Sequence, residues 1–238
     1  MKGSFKNLFV IIMILISLIG SSIQARPVDA LAYPGTNIPM SPPTTWQTAR
    51  LMDVWGYDAN NIYIAGHGTV SSSTRPVIYN KNGSAWDPST PGLPTAPGTW
   101  SSGSLKGVWG ADTSNVYAVG SGTGQISGIN YTLPLIYKKN GTAWDPTSPD
   151  LPGEIDAGGW ISGILEDAWG SSADNVYAVG YGSTFGAPTK PIVYRSTDQG
   201  LNWNSSQPPL LPSWNGYLYG IWGSAANDVY VVGYGNEG

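Results

Sequence analysis

Leu105-Lys-Gly-Val-Trp-Gly-Ala-Asp-Thr-Ser-Asn-Val-Tyr-Ala-Val-Gly-Ser-Gly122 is one of four stretches of this chain that align without gaps. The others are Leu51-Met-Asp-Val-Trp-Gly-Tyr-Asp-Ala-Asn-Asn-Ile-Tyr-Ile-Ala-Gly-His-Gly68, Leu165-Glu-Asp-Ala-Trp-Gly-Ser-Ser-Ala-Asp-Asn-Val-Tyr-Ala-Val-Gly-Tyr-Gly182 and Leu218-Tyr-Gly-Ile-Trp-Gly-Ser-Ala-Ala-Asn-Asp-Val-Tyr-Val-Val-Gly-Tyr-Gly235. Their tryptophans, Trp55, Trp109, Trp169 and Trp222, recur after 54, 60 and 53 residues. Self-similarity at such a period marks an array of like structural units, each burying its apolar face against the next.

Outward from this core, the first three units carry a second half. Pro76-Val-Ile-Tyr79, Pro134-Leu-Ile-Tyr137 and Pro191-Ile-Val-Tyr194 each lead into a turn and then a tryptophan, Trp86, Trp144 or Trp203. Two of those turns are Asn-Gly (Asn82-Gly83, Asn140-Gly141), whose tolerance of positive φ makes them strong hairpin signals. One unit therefore reads as four short strands: Leu-x-x-Val-Trp-Gly, Val-Tyr-x-Val-Gly, Pro-x-Ile-Tyr and a strand around the last tryptophan. The second is apolar at nearly every position, which requires burial on both faces. A four-stranded sheet packed on both faces by copies of itself is a propeller blade. The expectation is an all-β protein, a β-propeller of four-stranded blades with about three and a half blades in this chain, belonging to a larger propeller. The competing arrangement is a four-bladed ring in which residues 33–50 supply the missing strands, although that segment carries Pro34, Pro39, Pro42 and Pro43.

The units divide as 46–99, 100–159, 160–213 and an incomplete 214–238. Residues 1–25 differ from all of them. Lys2 and Lys6 precede an apolar run from Leu8 to Gly20, followed by small and polar residues, the order of a secretory signal peptide with cleavage after Ala25 or Ala32. The apolar run falls short of the roughly 20 residues a spanning helix needs, so no integral membrane span is expected after cleavage. A Pro-rich linker covers 26–45. The destination is export, whether secreted, periplasmic or at the cell surface.

Composition narrows the function. Charged residues make up 11% of the chain, against 32 Gly and 19 Pro, and the net charge is −4. No Lys/Arg run follows the leader, so nucleic acid is not an expected partner. The absence of cysteine excludes thiol chemistry and Cys-based zinc sites. No cofactor is implied.

Ser196-Thr-Asp198-Gln-Gly200-Leu-Asn-Trp203 matches the pattern Ser-x-Asp-x-Gly-x-x-Trp. It resembles the Asp boxes of sialidase-superfamily-like and BNR-repeat propellers. With the Val-Trp-Gly and Val-Tyr-Ala-Val-Gly phrases, residues 46–238 look like photosystem II assembly factor-like propellers. The resemblance implies a structural role for Ser196, Asp198, Gly200 and Trp203 on an outer hairpin, away from any active site. The other two hairpins carry Lys81 and Lys139 where the box has Asp.

No enzyme site is expected. The four arginines, Arg26, Arg50, Arg75 and Arg195, do not converge as a sialidase-like site requires. Glycoside hydrolysis needs two facing carboxylates, and the candidates are Asp53, Glu166 and Asp167 in the variable slots of the first strand, where they could also meet around a cation such as Ca²⁺. Asp58, Asp112, Asp174 and Asp228 read as turn residues. His67, the only histidine, reads as a loop residue without triad or metal partners. The recurring aromatics read as packing, which leaves the non-recurring Tyr57, Tyr131, Phe185 and Tyr219 as candidate binding residues. Variable Gly/Ser/Thr loops at 69–75, 121–133 and 183–190 suit recognition on a rigid scaffold. The expected function is an exported scaffold or binding module for a protein or glycan partner. A glycan-active hydrolase or lyase using the first-strand carboxylates, and a ligand-free segment of a larger surface or assembly protein, are the alternatives.

Overall fold

The computed structural model describes residues 46–83, 85–151, 160–184, 186–206 and 214–237. The leader over 1–25, the linker over 26–45 and Phe185 lie outside the described residues. Among the described residues the chain is all-β, with strands and no helix.

Strands β1 (Thr48–Asp58), β2 (Asn61–Val70), β3 (Ser73–Asn82) and β4 (Ala85–Ser89) form one antiparallel sheet in chain order. The second group is β5 (Thr99–Gly110), β6 (Val116–Ile126), β7 (Ile129–Asn140) and β8 (Ala143–Thr147), and the third is β9 (Trp160–Ser172), β10 (Asn175–Thr184), β11 (Lys190–Ser196) and β12 (Asn204–Ser206). One parallel pairing, Thr132 with Ser162, joins β7 to β9 and makes these two groups a single sheet path. A two-stranded sheet of β13 (Trp214–Ala225) and β14 (Asp228–Glu237) follows. None of the sheets closes on itself.

Two stretches read from sequence as loops are strand. β2 and β3 run to a turn at Ser71-Ser72, and β6 and β7 to a turn at Ser127-Gly128, so 69–75 and 121–133 are mostly hairpin. Gly, Ser and Thr continue these ladders because the positions are crowded: a Cβ on Gly122 would lie 2.8 Å from the Trp100 ring. His67 is likewise a strand residue, opposite Arg50 on β1 and Pro76 on β3. The Asn-Gly turns behave as their chemistry demands, with φ of 65° at Gly83 and 59° at Gly141.

Each first strand carries a bulge at the same place. Leu51 pairs with Gly66 and Asp53 with Ala65, which leaves Met52 unpaired. The same shift leaves out Lys106, Glu166 and Tyr219. The glycine opposite makes the close approach feasible, since a Cβ on Gly120 would sit 2.0 Å from the Ser104 carbonyl oxygen. A bulge of this kind re-aims the extra side chain; Lys106 and Glu166 meet across the join of the second and third groups, and Tyr219 lies edge-on to Tyr181 of the third.

The groups pack through their repeated aromatics. Trp55 lies over Gly110, Trp109 over Gly170 and Trp169 over Gly223, and a Cβ on any of these three glycines would fall 2.6 Å from the indole. The glycine of Val-Trp-Gly is thus the seat of the preceding group's tryptophan. Tyr63 and Tyr117 are each held between two tryptophans: stacked on Trp55 and Trp109 of their own hairpins, and edge-on to Trp144 and Trp203 of the following group at 6.0 Å. Such pairs contribute about 0.5–1.5 kcal/mol each beyond their buried area. The buried hydroxyls of Tyr137 and Tyr194 donate to the carbonyls of Gly92 and Asp150, 2.8 Å away, and so tie down the links between groups. Burial pushes both phenols up, which keeps them protonated donors.

Candidate functional site

Two of the three candidate first-strand carboxylates, Asp53 and Asp167, are engaged with backbone. Asp53 Oδ1 accepts from the N–H of Val54 and Oδ2 from that of Val108 on β5, each at 2.8 Å. Asp167 repeats the arrangement with Ala168 at 2.7 Å and Ile221 on β13 at 2.9 Å. Each carboxylate therefore latches its own first strand to the next one. Burial pushes the Asp167 carboxyl up, opposed by its two backbone donors, with the Asp53 charge adding to the rise. The second and fourth groups have glycine in this slot, Gly107 and Gly220. There Lys106 forms an ion pair with Glu166 instead, and Glu166 also hydrogen-bonds Tyr181, whose phenol is pushed up to about 12 by burial and by that carboxylate.

The other sequence-derived residues scatter. Tyr131 is buried in the core on β7 and presents no surface. Tyr57 and Tyr219 are exposed on different first strands, Tyr219 stacked on Tyr217. Asp58 accepts from the Asn60 N–H and from the side chain and N–H of Asn61, and Asp112 from the Asn115 side chain and the Ser114 and Asn115 N–H groups, which hold both carboxyls below the usual range. Burial depresses the His67 imidazole, against a hydrogen bond with the Leu105 backbone and with the like charges of Arg50 and Lys106 adding to the depression.

At the Ser196–Trp203 hairpin, Ser196 Oγ donates to Asp198 Oδ1 and accepts from the Gly200 N–H, both at 2.8 Å. Asp198 accepts from the Asn202 N–H and side chain at 2.9 and 2.7 Å. Strand register places Lys81 opposite Ile62 as Ser196 is opposite Val176, and Lys138, the residue before Lys139, opposite Tyr117 as Arg195, the residue before Ser196, is opposite Tyr177. Those lysines therefore correspond to Ser196 by register. Their ammonium groups donate to the Ala59 and Thr113 carbonyls at 2.8 Å.

A concave site exists elsewhere. An open pocket of about 690 Å³ is lined by Trp46, Val70, Arg75, Pro91, Pro94 and Trp100 among others. Arg75, on β3, donates from Nη1 to the Ser101 carbonyl at 3.2 Å, which fixes its guanidinium at the wall. Trp100 is held against Gly122 and Trp46 against Gly68, so the aromatic walls are seated on glycines within the second strands. No family model and no curated protein matches this chain.

Sequence reasoning passed over this pocket because it discounted recurring aromatics. The signal was present: Trp46, Trp100 and Trp160 each precede the first-strand leucine by five residues. Only the first two line the pocket, joined there by the Pro91–Pro94 link. Among the described residues, no group of three or more His, Asp or Glu side chains is placed to hold a metal ion.

Proposed function

We propose that this chain is part of an exported β-propeller acting as a binding module for a glycan or protein partner, with the Trp46–Arg75–Trp100 pocket as its ligand groove. The propeller reading is supported by the repeated antiparallel groups and by the recurring seat of one group's tryptophan on the next group's glycine. The binding reading rests on one observation: an open pocket of about 690 Å³ that joins two indoles and prolines to a fixed guanidinium. Apolar walls with a few placed polar groups are the usual make-up of a ligand site. Indole faces suit sugar rings and proline-rich backbone alike, and Arg75 selects for carboxylate or hydroxyl acceptors.

The hydrolase or lyase alternative draws no support from the first-strand carboxylates, because Asp53 and Asp167 accept from backbone N–H groups and Glu166 is paired with Lys106. Titration calorimetry and tryptophan fluorescence with soluble cello-, chito- and uronic-acid oligosaccharides and a proline-rich peptide test the proposal. Saturable binding is expected for one class, weakened about tenfold or more by Trp46→Ala and by Arg75→Ala, as for central anchors of an interface. Saturable binding that both variants leave unchanged would place the site elsewhere, and no binding by either class would remove the reading.

A further inference from the structure

Tyr63, Asn80 and Asp87 pair in a row across β2, β3 and β4. The equivalent rows are Tyr117, Lys138 and Asp145 in the second group and Tyr177, Arg195 and Asn204 in the third. Where those rows carry a cation the first carries an amide, and the side-chain oxygen of Asn80 is buried without a hydrogen-bond partner. A buried acceptor left unpaired is costly, so it marks a place that a donor from outside can fill.

The hairpin facing that row leaves room for one. Between the second and third groups, Gly200 is buried against Tyr117, and a Cβ on it would lie 2.5 Å from the ring. Trp203 follows Tyr194 by nine residues, whereas Trp144 follows Tyr137 by seven. The shorter hairpin does not close on Tyr63 in the same way: a Cβ on its Gly141 would meet nothing within 4 Å. A pocket of about 320 Å³ remains between the first and second groups. Asn61, Asn80 and Asp87 form one wall and Thr113, Lys139 and Thr142 the other, with the buried Tyr63 and Trp144 between them. It lies within the array, between two groups whose four strands are all described.

The walls define the ligand's chemistry. Lys139 Nζ donates to the Thr113 carbonyl at 2.8 Å and lies 5.9 Å from the centre of the Tyr63 ring, which holds the ammonium group in place. An ammonium has three N–H donors and Thr113 takes one. A lone anion in the pocket would meet the Asp87 carboxylate, and a lone cation would meet Lys139. A hydroxyl both donates and accepts, so neighbouring hydroxyls on one ring satisfy both walls. The volume is at the small end for a ligand site, which suits one ring rather than several. We infer that this seam binds a single sugar ring, whose adjacent hydroxyls donate to Asn80 Oδ1 and the Asp87 carboxylate and accept from Lys139 Nζ. The site shares no residue with the Trp46–Arg75–Trp100 pocket, so the two readings stand or fall independently.

Saturation-transfer NMR and titration calorimetry on the full chain, with glucose, galactose, mannose and N-acetylglucosamine as probes and the free amino acid glycine as a zwitterionic control, are the test. Saturable binding of at least one sugar is expected, and none of the zwitterion. Asp87→Asn weakens the sugar about tenfold, the loss of a hydrogen bond to a charged group. Asn80→Lys sets the second group's side chain in the first row, fills the pocket and abolishes binding. Trp46→Ala, in the larger pocket, leaves the sugar's affinity unchanged. If Asn80→Lys fails to give the β-sheet circular dichroism of the parent, Asp87→Asn, at an exposed position, carries the test alone. No binding of any of the four sugars, zwitterion binding as tight as theirs, sugar binding that a folded Asn80→Lys or Asp87→Asn variant leaves intact, or sugar binding lost in Trp46→Ala each overturns the inference. None of these outcomes touches oligosaccharide or peptide binding that depends on both Trp46 and Arg75.

Discussion

β6 begins Val116-Tyr-Ala-Val-Gly120 and β14 carries Val229-Tyr-Val-Val-Gly233, nearly the same sequence at equivalent places in their hairpins. In β6 all five residues are buried. Of the five in β14 only Val229 is even partly covered, and Tyr230 through Gly233 are exposed. The strands pair with their first-strand partners in the same register, Tyr117 with Trp109 and Tyr230 with Trp222. Local sequence makes the hairpin, then, and the neighbouring group makes the core. Burial in this architecture belongs to the joint between groups, so the cost of a substitution depends on which joint it touches.

The largest expected effect sharpens that contrast with one substitution at two aligned glycines. Gly110→Ala drives a methyl group into the Trp55 indole and costs about 2 kcal/mol, the usual penalty of overpacking. Gly56→Ala, whose Cβ meets Ile62 Cγ1 at 3.3 Å and no tryptophan, stays within about 0.5 kcal/mol. Urea denaturation measures both, and equal costs would break the comparison.

Next come the carboxylate latches. Asp53→Ala strips the Val108 N–H of its partner, and Asp167→Ala does the same to Ile221. Each is expected to cost about 1–2 kcal/mol, the price of an orphaned backbone donor near the core. Lys106→Met, at the glycine-type joint, removes a partly exposed ion pair and costs less than about 1 kcal/mol. A larger loss at Lys106 than at Asp53 would invert the ranking of the two joint types.

The smallest effect is a pH slope. The folded-state value of His67 is depressed by burial, so the unfolded chain binds the proton more readily. The stability tied to neutral His67 is in full force above about pH 6.5 and is lost as pH falls through the depressed folded value. His67→Gln should flatten the fall in melting temperature between pH 7 and 5. A slope of the same size in the variant would assign it to other groups.

The strand content was legible from Val-Tyr-Ala-Val-Gly and the Asn-Gly turns because β-branched residues and positive-φ turns are local signals. The lengths of β6 and β7 were not, since Gly and Ser at 120–128 resemble loop until Trp100 is placed over them. Asp53 and Asp167 read as free carboxylates because their partners, the N–H groups of Val108 and Ile221, lie 55 and 54 residues away. The bulge was invisible because it consists only of a register shift. The pocket was hidden in plain view: the repetition of Trp46 and Trp100 marked them as packing, and they do pack, yet the turn of the Pro91–Pro94 link leaves their edges lining a cavity.

The alternation of aspartate and glycine along the first strands sets a parity on the array. An aspartate-bearing group supplies a carboxylate to its successor's N–H, and a glycine-bearing group makes room for its successor's backbone. Inserting or deleting one group within the array would bring two like slots together, leaving either a stranded N–H or two carboxylates in one seam. Changes by two groups leave every seam intact, so the unit in which this molecule can be copied, trimmed or redesigned is the pair.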